Sequence, residues 1–231
     1  MPKQLDGQLS LYDITSPVDS NCDDLAVTFF NPGFANLQEA AKVAASCTQC
    51  QLCQTRTSVV FADGNPQSKL MIIGEGPGEK EDETGLPFVG RAGQLLDKIL
   101  ASVNIDRKKD TYICNIVKCR PPQNRVPSPD EAAACRPYLD AQIAFVKPKL
   151  ILLAGSTAVQ YILQVKQPIS KIRGKWFEFR GSKVMPIFHP SYLLRNDSKE
   201  VGSPKWLMWQ DIKLVKKTLD ALNQGSTFVE N

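Results

Sequence analysis

The chain of 231 residues is 42% hydrophobic and carries 28 basic against 24 acidic side chains, enough apolar material for one sizeable core and too small a net charge to identify an anionic partner. It contains neither an apolar run of about eighteen residues nor a charged-then-apolar leader pattern, which argues against a membrane span or secretion signal and makes a cytoplasmic location the expectation. Seven cysteines, an odd number, are then expected to be metal ligands or buried thiols rather than a disulfide framework.

Residues 1–35 mix Asp, Ser, Asn and Pro without periodicity and read as a flexible tail. A single domain is expected over residues 36–224, with 225–231 as a C-terminal tail. Asn36 to Ala45 is predicted as a short helix leading into Cys47-Thr-Gln-Cys50, and Ser58 to Phe61 as a short edge strand. Four apolar runs follow, Leu70–Gly74, Tyr112–Val117, Leu150–Gly155 and Val184–Phe188; their continuity suits strands buried on both faces. Between them, Leu95, Leu96, Ile99, Leu100 and Val103 recur at helical spacing. Ser128-Pro-Asp-Glu131 opens a helix through Val146 as a capping box with proline at the first helical position. A last helix starts at Ser203-Pro204 with Trp209, Ile212, Val215, Leu219 and Leu222 predicted on its inner stripe.

This alternation predicts a three-layer α/β/α fold around a central, mostly parallel four-stranded sheet. Ligands in such sheets lie beyond the carboxyl ends of the strands. Gly74 to Gly78, Asn115 to Arg125 and His189-Pro-Ser191 all fall just past strand ends, so chemistry from separate stretches can converge at one rim.

Cys47 and Cys50 form a CxxC pair, with Cys119 and Cys135 far downstream. Two thiolates on one turn and two brought in by the fold can hold either zinc or an iron–sulfur cluster, and the spacing leaves both open. Cys53 makes a second, overlapping CxxC with Cys50. Cys114 falls within an apolar strand, where packing is the simpler reading, and Cys22 lies in the tail.

Taken together, Arg56 to Phe61, Gly74-Glu-Gly-Pro-Gly-Glu79 through Gly85 to Gly93, Tyr112 to Arg125 and His189 to Arg195 resemble the family 4 uracil-DNA glycosylases, the iron–sulfur branch of the uracil-DNA glycosylase superfamily. The resemblance covers roughly Cys47 to Leu222. It implies a uracil-DNA glycosylase-like fold and a DNA repair hydrolase that flips uracil out of DNA, cuts its N-glycosidic bond and leaves an abasic site. It also implies a [4Fe–4S] cluster on Cys47, Cys50, Cys119 and Cys135, with Cys53 where other members carry a non-ligand residue.

Cutting that bond develops positive charge on the sugar and negative charge on the base, so the site needs a partner for each. Glu75 can orient water and face the cationic sugar, as carboxylates do in glycosidases. His189 is the one histidine in the chain, and a neutral imidazole donating to uracil O2 would favour departure of the base as an anion. The Asn115 amide matches the O4 and N3–H edge of uracil and mismatches cytosine. By resemblance, Gly74 and Gly76 belong to the catalytic turn, Phe88 is the ring on which the base stacks, and Glu81 blocks the thymine methyl, with Gly78 where other glycosylase families place a tyrosine.

Leu193 and Leu194 are the candidate wedges for the gap left in the base stack. Arg91, Lys118, Arg120, Arg125, Lys175 and Arg195 are candidates for the phosphate path. Pro121 to Arg125 runs straight into Val126-Pro127 without the inserted histidine loop of a relative that traps the sugar covalently, so simple hydrolysis is expected. Gln8-Leu9-Ser10-Leu11-Tyr12 resembles the bacterial sliding-clamp-binding peptide, which makes the clamp a candidate partner. No feature signals a dimer interface, and a monomer is expected.

Overall fold

Near-continuous apolar runs are accommodated only where both faces of a strand are covered, and here they form the middle of the sheet. In the computed structural model, which describes residues 33–225, the strands in chain order are β1 (Asp63–Gly64), β2 (Leu70–Gly74), β3 (Thr111–Asn115), β4 (Leu150–Ala154), β5 (Phe177–Phe179) and β6 (Ser182–Ile187). The sheet order is β1-β3-β2-β4-β6-β5. The four predicted strands are the parallel centre, and β1 and β5 add short antiparallel edges. The tail, its Gln8–Tyr12 peptide and Cys22 lie outside the described residues, as do residues 226–231.

Two boundaries differ from expectation for identifiable reasons. Ser58 to Phe61 is not a strand: the buried Asp82 carboxylate accepts the Thr57 and Ser58 backbone N–H groups, which takes those donors from any ladder. β3 stops at Asn115 rather than Val117 because the N–H groups of Ile116 and Val117 turn back to the carbonyls of Gly74 and Glu75.

The helices among the described residues are α1 (Leu37–Ala45), α2 (Glu79–Thr84), α3 (Arg91–Ala101), α4 (Arg107–Asp110), α5 (Pro129–Val146), α6 (Ser156–Leu163), α7 (Ile169–Ile172), α8 (Pro190–Arg195) and α9 (Pro204–Asn223). Asn36 caps α1 by accepting the Glu39 N–H. The Ser128 hydroxyl accepts the Glu131 N–H while the Glu131 carboxylate accepts that of Ser128, closing the predicted box. Alternation along the strands divides the core. Met71, Ile73, Cys114, Ile151 and Leu153 face the α5 and α6 side, while Leu70, Ile72, Ile113, Leu152 and Met185 face α3, α8 and α9.

On α9 the inner stripe runs Met208, Ile212, Val215, Leu219. Trp209, predicted on that stripe, is 47% exposed, with Lys213 Nζ 3.5 Å above its ring centroid. Successive helix positions are turned about 100° apart, and here Met208, not Trp209, faces the core. No helix among the described residues is long and apolar enough to cross a membrane.

Candidate active site

β3 and β4 flank β2 on opposite sides, so the segments leaving them diverge and open a crevice at the end of β2. There lies a cleft of about 400 Å³ lined by Glu75, Gly76, Gly78, Glu81, Phe88, Asn115, Asn124, Arg125, His189 and Arg195. A second lobe of about 530 Å³ shares Glu75, Asn124, His189, Ser191 and Arg195 and adds Ser156 and Tyr192.

Gly74 does not line the cleft but makes it possible. A Cβ there would strike Asn115 Oδ1 and lie 2.5 Å from Phe88 Cζ, so its lack of a side chain lets amide and ring converge. Asn115 is 1% exposed. Its Oδ1 is the one buried side-chain oxygen or nitrogen among the described residues with no hydrogen-bond partner. Such an atom is costly unless a ligand completes it. Phe88 is buried, has φ 53° and lies 5.7 Å from the His189 ring, centroid to centroid.

His189 caps α8. Its Nδ1 accepts the Ser191 backbone N–H at 3.1 Å and contacts the Ser191 hydroxyl at 2.8 Å. Because a backbone N–H can only donate, Nδ1 of the neutral ring is the acceptor and the proton resides on Nε2. Burial, aided by the Arg195 charge and opposed by Glu81, lowers the imidazole pKa to about 4; the ring is neutral at physiological pH. Glu75 Oε2 accepts the Thr157 hydroxyl, which orients the carboxylate between the two lobes.

Glu81 holds a turn together as well as lining the cleft. Its Oε2 accepts the Gly78 N–H, and its Oε1 accepts those of Val89 and Gly90 at 2.8 Å each. The carboxylate therefore ties the starts of α2 and α3 and is fixed in place. Arg195 is exposed beside both lobes. Arg125 also lines the cleft, but its guanidinium is bidentate on Glu131 at 2.6 and 2.8 Å. Arg91 and Lys175 are exposed away from the lining, and Arg120 donates to Asn124 Oδ1 at 2.8 Å.

Two of the sequence expectations are corrected. Leu193 is 1% exposed and packs in the core beneath α8, so it cannot enter DNA; Leu194, on the outer face, is 36% exposed. Lys118 is 1% exposed and so cannot line a phosphate path. Its Nζ donates to the Asn115 carbonyl at 2.5 Å and to Gln142 Oε1 at 2.6 Å, fixing the Asn115 backbone. Thr157 and Asn124 were missed. The only signal for Thr157 was its place just past Gly155, the one central strand end left without a motif.

Beside α5, Cys47, Cys50, Cys53, Cys119 and Cys135 line one small cavity together with Arg56 and Lys118. Arg56 Nη1 donates to Cys119 Sγ at 3.3 Å and to the Cys47 carbonyl at 2.7 Å, and the Lys118 backbone N–H donates to Cys135 Sγ at 3.3 Å. Burial pushes the Cys50 and Cys119 thiols up and that of Cys135 up to about 11. No three His, Cys, Asp or Glu among the described residues converge tightly enough for a single metal ion. Cys114 is fully buried in β3, away from that lining, as packing predicts.

Residues 61–213 match the family model of the uracil DNA glycosylase superfamily. The chain is 48% identical over 172 residues to a type-4 uracil-DNA glycosylase of Thermotoga maritima, covering 74% of this chain and 88% of that protein. It is 39% identical over 169 residues to one from Sulfurisphaera tokodaii, covering 70% and 77%. With one from Archaeoglobus fulgidus it shares 38% over 184 residues, covering 72% and 92%. The cleft residues lie inside the matched span, and the chain belongs to the uracil-DNA glycosylase superfamily and, within it, to the type-4 uracil-DNA glycosylases.

Proposed function

We propose that this protein removes uracil from DNA by hydrolysing the bond from deoxyribose C1′ to uracil N1, with Asn115 and Phe88 recognising the flipped base and Glu75 and His189 acting on the bond. The observation that carries this reading is the unpartnered, buried Asn115 Oδ1 beside the Phe88 ring. A planar base with an N–H at that edge completes the acceptor. Uracil N3 carries that hydrogen and cytosine N3 does not. Glu81, held by three backbone donors, is a fixed wall suited to excluding a C5 methyl group.

As the C1′–N1 bond breaks, its electron pair leaves with the base. The His189 Nε2–H donates to the developing oxyanion at uracil O2 without surrendering its proton. Glu75, oriented by Thr157, faces the positive sugar and holds the water whose oxygen forms the new bond to C1′; the water's second proton passes to the carboxylate. Asn124 lines both lobes and is available to hold the same water. Leu194 fills the vacated stack and Arg195 meets phosphate.

Cys47, Cys50, Cys119 and Cys135 would hold a [4Fe–4S] cluster. The fit rests on the donor set: thiols facing one cavity, N–H groups directed at two of the sulfurs, and the Arg56 and Lys118 charges beside them. Such a cluster would supply a cross-link between the segment after α1 and α5 rather than a step at the base. The Gln8–Tyr12 peptide is proposed to bind a sliding clamp; unchanged clamp binding after deletion of residues 1–15 would sink that idea.

The test is release of uracil from a labelled DNA strand by anaerobically purified protein, read by alkaline cleavage, with thymine and cytosine strands as controls. Cleavage at uracil alone, lost in folded Glu75→Ala and His189→Ala proteins, is expected. Absence of an abasic product from metal-replete protein would overturn the reading.

A further inference from the structure

The Pro87–Phe88 turn puts a bulky side chain on left-handed backbone at the cleft. Phe88 sits at φ 53°, a left-handed conformation that a bulky residue keeps only when its surroundings enforce it. The enforcement comes from outside the turn. Arg107, the first residue of α4, donates from Nη1 to the Phe88 carbonyl at 2.9 Å and from Nη2 to the Pro87 carbonyl at 2.5 Å. The same guanidinium is anchored to Asp63 on β1 through Nε at 3.0 Å and to Asp97 on α3 through Nη1 at 2.8 Å. The Arg107 and Asp63 side chains are only 13% and 10% exposed. From the other side, Gly93 of α3 lies so close that a Cβ there would collide with the Phe88 carbonyl. The turn is thus held by a planar fork below and a bare helix backbone beside it.

We infer that Arg107 is a positioning residue for base recognition: by holding two consecutive carbonyls it fixes Phe88 in its strained conformation, with the ring against Gly74 and facing His189. The inference rests on reading Phe88 as the surface on which uracil lies. A lysine at position 107 keeps the charge opposite Asp63 but cannot present two parallel N–H groups to adjacent carbonyls. Lys108 shares Asp63, with Nζ 2.5 Å from Oδ1, yet donates to neither carbonyl. It separates the ion pair from the grip on the turn.

The experiment measures KM and kcat on a uracil-containing single strand, and inhibition by free uracil, for the full-length protein and for R107K, F88A, R107K/F88A and K108A. R107K is expected to raise KM and the uracil inhibition constant on the order of tenfold with a smaller change in kcat. In the F88A background it should add less than about twofold. K108A should match the parent. Equal effects of R107K in both backgrounds, or a K108A protein as impaired as R107K, would reduce Arg107 to a fold-supporting ion pair and overturn the inference. Should F88A leave both constants unchanged, the Phe88 reading itself fails and takes this one with it. If R107K does not fold, D97A, which removes one anchor of the guanidinium, carries the same cycle, and additivity there is equally fatal.

Discussion

The Asn115 amide lines the cleft with an acceptor that none of the described residues completes, so recognition and stability part company at this residue. Asn115→Ala removes a costly orphan while opening a small void, and these oppose one another. We expect kcat/KM to fall by about 100-fold or more while Tm moves little; a large loss of Tm, read by calorimetry, would mean the amide serves the fold. His189 gives a second residue-level prediction through its pKa of about 4 against an ordinary 6.5. Between those values the unfolded chain binds the proton that the folded one refuses, so stability is complete above about pH 6.5 and declines as pH falls toward 4. The full loss is roughly 3 kcal/mol by linkage. His189→Gln should flatten that part of the profile in denaturant titrations at several pH values. Removing the Arg195 charge should raise the folded-state pKa, so that the decline ends at a higher pH and is smaller, because that charge helps hold the imidazole neutral.

At the scale of elements, the ends of helices do most of the positioning. α5 begins with a reciprocal cap whose glutamate also anchors Arg125. Ser128→Ala should cost about 1 kcal/mol. Glu131→Ala should cost about 2 kcal/mol or more, because it uncaps the helix and releases Arg125 together; urea unfolding of both variants checks the order. α3 begins beside the Phe88 turn, where Gly93 admits no side chain. Gly93→Ala should displace the turn or unfold the domain, seen as weaker inhibition by free uracil in whatever protein remains folded. The α9 face was misread by one residue at Trp209 because a bulky apolar side chain scores as core wherever it falls. Only the direction in which the helix packs decides between neighbours.

For the whole molecule, the cleft and the cysteine cavity lie at different places but share β3 and the loop after it. Asn115, Lys118 and Cys119 are within a few residues of one another, and Lys118 bonds the Asn115 carbonyl with its side chain and Cys135 with its backbone. If the proposed cluster is present, stripping it should therefore loosen both α5 and the base pocket. We expect Tm to fall by roughly 10 °C or more, together with weaker inhibition by free uracil. A metal-stripped protein with unchanged Tm and uracil inhibition would show the cavity to be structurally idle.

The sequence by itself determined what short-range physics encodes. Strand runs, the Ser128–Glu131 cap and the placement of Glu75, Asn115 and His189 at or just past strand ends are all set by periodicity and by bonds spanning three or four residues. The tertiary structure alone decided what depends on segments far apart in the chain. Leu193 is core and Leu194 is surface because of how α8 packs; Lys118 is buried because α5 covers it. Thr157 reaches Glu75 across 82 positions, and Arg107 reaches Phe88 across 19. Such pairings leave no periodic trace, since a side chain's partners across a sheet are fixed by topology rather than by its neighbours in sequence.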